Sequence, residues 1–131
     1  DVVRFREEPG KTEELFVNRM KQESKRVDIW IEQEPGSSGK SFVNNMAKKL
    51  PGYSVKGDKV SGDKEVRAKP VSAASSNGFI IIVKGQWNEA FYTEIENFPK
   101  GAHDDQVDAF SGAYNKANEE KDYEVHTGFF E

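Results

Sequence analysis

His103-Asp104-Asp105-Gln106-Val107-Asp108 places three carboxylates within five residues, just after a Pro99-Lys100-Gly101 turn. Carboxylates so close repel one another unless a cation or open water compensates. A second acidic stretch, Ile29-Trp30-Ile31-Glu32-Gln33-Glu34-Pro35-Gly36, carries Glu32 at the end of an apolar alternation, with Glu34 two residues on. Acids converging from separate elements suit two-metal phosphodiester hydrolysis, in which ions about 4 Å apart clamp the attacking and leaving oxygens. The same spacing also suits a plain helix start, with Asp104 as cap and Asp105 and Asp108 favouring the positive end. Both readings stand on spacing alone. His103 adds a candidate ligand or general acid/base beside the run.

These acids need rigid elements to aim them. Asp104, Asp105 and Asp108 lie on one arc of a helix whose opposite face carries Val107, Phe110, Tyr114 and Ala117. Glu32 closes a strand running from Val27, and strand C-termini are where open α/β sheets bind ligands. Phe42, Val43, Met46 and Leu50 mark a helix after the Pro35–Gly39 loop, and Pro51-Gly52 ends it. Val2–Arg6 alternates as a strand, Pro9-Gly10 reads as a turn, and Thr12 as the cap of a helix reaching about Ser24. Tyr53–Val55 reads as a short strand, and Asp63 as the cap of a helix strained at Pro70. Phe79–Val83 is wholly apolar and reads as a strand buried on both faces. Trp87, Phe91, Ile95 and Phe98 then fall on one helical face. Trp30 and Trp87 read as core residues rather than base-stacking platforms. Strands separated by helical crossovers predict an α/β fold with a parallel sheet core.

With 131 residues the chain is expected to form one domain. Charged residues make up 32% and no apolar run approaches a membrane span. The absence of cysteine excludes disulfides and thiolate metal sites, leaving hard metals with oxygen ligands. Residues 40–84 carry nine lysines and arginines against three acids, and residues 85–131 three against eleven. A basic middle beside an acidic end fits a nuclease, although uneven surface charge alone explains it equally well. Lys64, Arg67 and Lys69 share a helix, where they either meet a DNA backbone or form a solvated face. Gly36-Ser37-Ser38-Gly39-Lys40-Ser41 begins like a P-loop, but the Walker A spacing requires glycine where Glu34 stands. The loop instead reads as a tight turn into a helix, with Lys40 free to touch a nucleic-acid phosphate.

Residues 29–40, 62–70 (Gly-Asp-Lys-Glu-Val-Arg-Ala-Lys-Pro) and 98–109 (Phe-Pro-Lys-Gly-Ala-His-Asp-Asp-Gln-Val-Asp-Ala) resemble the C-terminal nuclease domain of tailed-phage or prophage large terminase subunits. The resemblance spans about residues 1–117, leaving 118–131 as a C-terminal tail in which Phe129 and Phe130 would dock. It implies a ribonuclease H-like mixed sheet flanked by helices, lacking the first strands of the fold and the aspartate they carry; Asp1 does not match that aspartate. It further implies a two-metal DNA endonuclease using Mg²⁺ or Mn²⁺ to cut concatemeric DNA during genome packaging in the cytoplasm of a bacterial host. Glu32 matches the acid on the central strand, Asp105 with Asp104 the pair opening the last helix, and Asp108 a supporting position. Lys64 and Arg67 match basic positions that meet DNA, joined by Lys40 and Lys69. The implied partners are double-stranded DNA, an upstream terminase ATPase domain, the small terminase subunit and the portal. The other expectation, from a different class, is a non-catalytic DNA- or partner-binding module of the packaging machinery.

Overall fold

A computed structural model describes residues 1–119, in the order α1 (Pro9–Met20), β1 (Asp28–Glu32), α2 (Ser37–Lys49), β2 (Ser54–Asp58), α3 (Lys64–Ser76), α4 (Asn88–Asn97) and α5 (Asp105–Asn118). The expected docking of Phe129 and Phe130 lies outside the described residues. The chain divides into two compact units, residues 1–63 and the part from Lys64 onward.

The first unit is built on a β1-α2-β2 crossover. The two strands pair in parallel, in a register that sets Ile29 against Val55 and Glu32 against Asp58. A parallel pair needs a long connection, and α2 provides it. Gly36 takes a positive φ of 96° to turn the chain from strand to helix. Gly39 must also be glycine, because an added Cβ would collide with the backbone carbonyl of Glu34. Val17, Ile29, Met46 and Leu50 form the buried core, with Phe16, Met20, Ile31, Tyr53 and Val55 packed around it. Burying such side chains contributes about 1.5–3 kcal/mol each. Two edge contacts tie the unit together: Lys49 Nζ pairs with Glu13 at 2.6 Å, and the Tyr53 hydroxyl donates to the Lys21 carbonyl at 3.1 Å.

Helix α1 starts earlier than expected. Pro9 sits in its first turn, where a missing N–H costs nothing, so Pro9-Gly10 is helix rather than turn. Thr12 does not cap it; its hydroxyl donates to the Glu7 carbonyl. Val2–Arg6 forms no strand, since no described segment takes up its backbone hydrogen bonds. Phe42 is exposed, leaving Val43 and Met46 as the buried face of α2. Trp30 lies on the surface too, with the Lys56 ammonium 5.2 Å from its ring centroid, so it is not a core residue.

In the second unit α5 packs against both α3 and α4. Helix α3 buries Ala68, Val71 and Ala74 and continues through Pro70. Phe91 is the central apolar residue of α4, with Trp87 and Phe110 edge-on to it at 5.5 and 5.4 Å. Ile95 is exposed and Glu94 takes the buried position, so the α4 core face runs through 87, 91, 94 and 98. Among the described residues the expected strand at Phe79–Val83 does not form: no other segment pairs with it in a ladder, and Phe79, Ile81 and Val83 are 79%, 89% and 73% exposed. Apolar composition favours a buried strand, but a strand forms only where a neighbour accepts its ladder.

Candidate functional site

Each unit carries an acidic feature, and each is built by its own local structure. In the first, Glu32 is the final residue of β1 and Asp58, its register partner, the final residue of β2. Register partners in a sheet project from the same face, so two carboxylates share the C-terminal edge of the parallel pair. Among the described residues the Glu32 side chain is exposed and forms no hydrogen bond or ion pair. Glu34 lies just beyond the strand and is exposed as well. Lys40 is exposed in the first turn of α2.

In the second unit, α5 opens with the Asp104-Asp105 pair. Asp104 holds the N-cap position, yet its side chain makes no cap hydrogen bond. Glu94, reaching from α4, makes them instead: Oε1 accepts the backbone N–H of Gln106 at 2.6 Å and of Val107 at 2.9 Å. Its Oε2 accepts the Gln106 side-chain amide at 2.7 Å. A carboxylate buried to 6% exposure would be costly alone. Here three donors and the positive end of the helix offset that cost.

Released from capping, Asp104 turns to a cation. The Lys64 ammonium, at the start of α3, lies 2.9 Å from both Asp104 carboxylate oxygens and 2.9 Å from Asp108 Oδ2. A guanidinium nitrogen of Arg67 takes Asp108 Oδ1 at 3.2 Å. Asp104 and Asp108 stand four residues apart, one turn up the same face. Hydrogen bonds to Asp108 and then to Asp104 hold the Lys64 ammonium well above the usual lysine range. Arg67 Nε is buried without a hydrogen-bond partner among the described residues, while the Arg67 carbonyl accepts from Asn115 at 3.1 Å. Asp105, between the two paired aspartates, is exposed and makes no side-chain bond among the described residues. His103 is exposed beside it, and Lys69 is exposed on α3.

The structure therefore brings together Asp104, Asp108, Lys64 and Arg67, and leaves Asp105 and Lys69 outside that network. Sequence reasoning missed Glu94 and Asp58. Glu94 had a faint signal, since it falls on the Trp87–Phe91–Phe98 stripe. Asp58 lay past the expected end of its strand. All candidate donors are carboxylates, the hard oxygen ligands that Mg²⁺ and Mn²⁺ take. Asp104 and Asp108 converge on the Lys64 ammonium, a side-chain cation. Among the described residues no three His, Asp or Glu side chains gather as a ready metal cage. No described helix is long and apolar enough to cross a membrane.

Residues 2–117 match the family described as the terminase RNaseH-like domain. No curated protein and no solved structure matches the chain significantly. The family match covers most of the sequence, and the chain belongs to that family.

Proposed function

We propose that this terminase RNaseH-like domain is a metal-dependent DNA endonuclease that cuts concatemeric DNA during genome packaging. Its coarser character, a nuclease-type terminase module, follows from family membership. The observation that carries the finer reading is the division among the acids. Asp104 and Asp108 are committed to Lys64 and Arg67, whereas Glu32 and Asp105 are exposed with no side-chain bond among the described residues. A surface carboxylate at a rigid strand end or helix start, spent on no internal contact, is available to an external cation.

In this reading Glu32 in the first unit and Asp105 in the second are each a candidate ligand for Mg²⁺ or Mn²⁺, with Asp104 and Asp108 in support. The bound ions would supply Lewis-acid stabilisation of the phosphodiester as charge builds on its oxygens. Glu94 keeps the first turn of α5 in place, so that Asp105 is presented from a fixed backbone. Lys40 and Lys69, both exposed, supply positive charge to the DNA backbone, and such contacts weaken with salt without reading sequence. Double-stranded DNA is then the substrate, and the ATPase domain, small subunit and portal the packaging partners.

The test is plasmid nicking with Mn²⁺, comparing the parent chain with Glu32→Ala and Asp105→Ala. Nicking should fall by at least about 100-fold in either variant and stop on chelation. Equal nicking by parent and variants, or nicking that survives chelation, overturns the proposal. DNA affinity with a salt slope but no metal-dependent cleavage would identify a binding module instead.

A further inference from the structure

We infer that Asn77-Gly78 is a modification site, where the chain converts its own asparagine to aspartate and isoaspartate at a pace set by the C-terminal cap of α3. The reaction uses neither metal nor DNA and stands apart from the nuclease reading.

Three observations support the assignment. First, among the asparagines of the chain, Asn77 alone precedes a glycine. The reaction brings the backbone nitrogen of the next residue onto the asparagine side-chain carbon, and glycine has no Cβ to obstruct that approach. Second, Asn77 and Gly78 are both exposed, in the turn that follows the last residue of α3. Water, which the second step consumes, therefore reaches them. Third, the cap holds both reacting groups. Gly78 takes a φ of 75°, its N–H donates to the Ser75 carbonyl at 3.1 Å, and the Phe79 N–H donates to the Ala74 carbonyl at 2.9 Å. This is the bonding of a Schellman cap, with glycine in the left-handed position. The leaving group is held as well, since Asn77 Nδ2 donates to the Ala73 carbonyl at 3.0 Å.

The Gly78 nitrogen gives its proton to a solvent base and attacks Asn77 Cγ. An N–Cγ bond forms, the Cγ–Nδ2 bond breaks, and Nδ2 takes a proton from solvent to leave as ammonia. Water then opens the cyclic succinimide. Attack at Cγ yields aspartate, and attack at the main-chain carbonyl yields isoaspartate. In the closed cap the Gly78 N–H is engaged by Ser75, so reaction proceeds from the opened turn. Helix ends open at small cost, and the cap therefore slows the reaction without forbidding it. The products do not restore the cap. Isoaspartate routes the main chain through one extra carbon, which moves the Gly78 and Phe79 N–H groups out of register with their acceptors. Either product also replaces the Nδ2 donor by a carboxylate at the negative end of α3. Modification is thus a one-way release of the last turn of α3 and of the Phe79 backbone bonded to it.

The experiment incubates the 131-residue chain at mildly alkaline pH, native and in urea, and maps the peptide around residue 77 by mass spectrometry with separation of aspartate from isoaspartate. Both products should accumulate at residue 77 ahead of any other asparagine, at least about tenfold more slowly in the native chain than in urea. No product at residue 77 in urea, or faster conversion of another asparagine, overturns the site. Equal rates in the two states overturn the role of the cap. Product in urea with none in the native chain after prolonged incubation overturns modification of the folded domain. Hydrogen exchange tests the consequence: the Phe79 amide should exchange faster in the modified chain, and unchanged exchange overturns the release.

Discussion

Glu94 makes the hydrogen bonds to the first turn of α5 that Asp104, at the N-cap position, leaves unmade. Capping and cation binding usually compete for the same carboxylate at a helix start. In this chain the two tasks fall to separate residues, one on α4 and one on α5. Asp104 is consequently oriented toward Lys64 while the backbone beneath it stays fixed.

Replacing Glu94 by alanine strands the buried N–H groups of Gln106 and Val107. The expected loss is about 3 kcal/mol of stability, measured by urea unfolding. Glu94→Gln keeps the shape and one acceptor oxygen, so it should cost about half as much. Equal stability of Glu94→Ala and wild type would show that α5 is held by packing alone.

Gly39→Ala tests the close approach of α2 to the end of β1. An alanine Cβ would run into the Glu34 carbonyl, a backbone group that cannot swing aside. The helix must shift, and the expected cost is about 2 kcal/mol or more, despite the better helix propensity of alanine. A Tm unchanged from wild type would contradict this packing.

Met46 is fully buried in the first unit, whereas Phe42 on the same helix is 44% exposed. Met46→Ala should destabilise by about 3 kcal/mol. Phe42→Ala should stay within about 0.5 kcal/mol of wild type. Chemical denaturation of the two variants side by side would reveal a reversed order.

The Lys64 ammonium gives a defined pH signature. Its pKa is raised in the folded state by hydrogen bonds to Asp108 and Asp104. A raised cation contributes its full stabilisation below the unfolded lysine pKa and loses it as pH climbs through the folded value. The Tm difference between wild type and Lys64→Met should therefore be level from neutrality to about pH 10 and shrink only in stronger alkali. Shrinkage already between pH 7 and 9 would contradict the pairing.

The β1-α2-β2 unit was legible because its signals are local. Ile29 and Ile31 alternate, Val43, Met46 and Leu50 repeat at helical spacing, and glycines mark the turns. The acid pair opening α5 was legible for the same reason, as was Glu32 at its strand end. Tertiary partners were not. Glu94 reads as a surface acid until one knows that the bare N–H groups of a later helix lie against it. Lys64 and Arg67 read as a basic face because the aspartates that neutralise them come some forty residues later. Phe79–Val83 misled because hydrophobicity reports what a segment would bury, not whether a neighbouring strand is there to receive it. The extension of β2 to Asp58 was missed because Gly57 and Asp58 are poor strand formers that parallel pairing with β1 overrides.

The unpaired Phe79–Val83 segment also governs how the purified chain will behave at the bench. Five consecutive apolar residues outside any helix or strand, three of them largely exposed among the described residues, offer a sticky surface to a second molecule. Crowding molecules together should then bring turbidity long before the helices melt. A single Ile81→Lys change should raise the concentration at which light scattering begins, leaving the far-ultraviolet spectrum unaltered. Solubility of the purified chain is then expected to depend on this exposed apolar segment more than on its buried core.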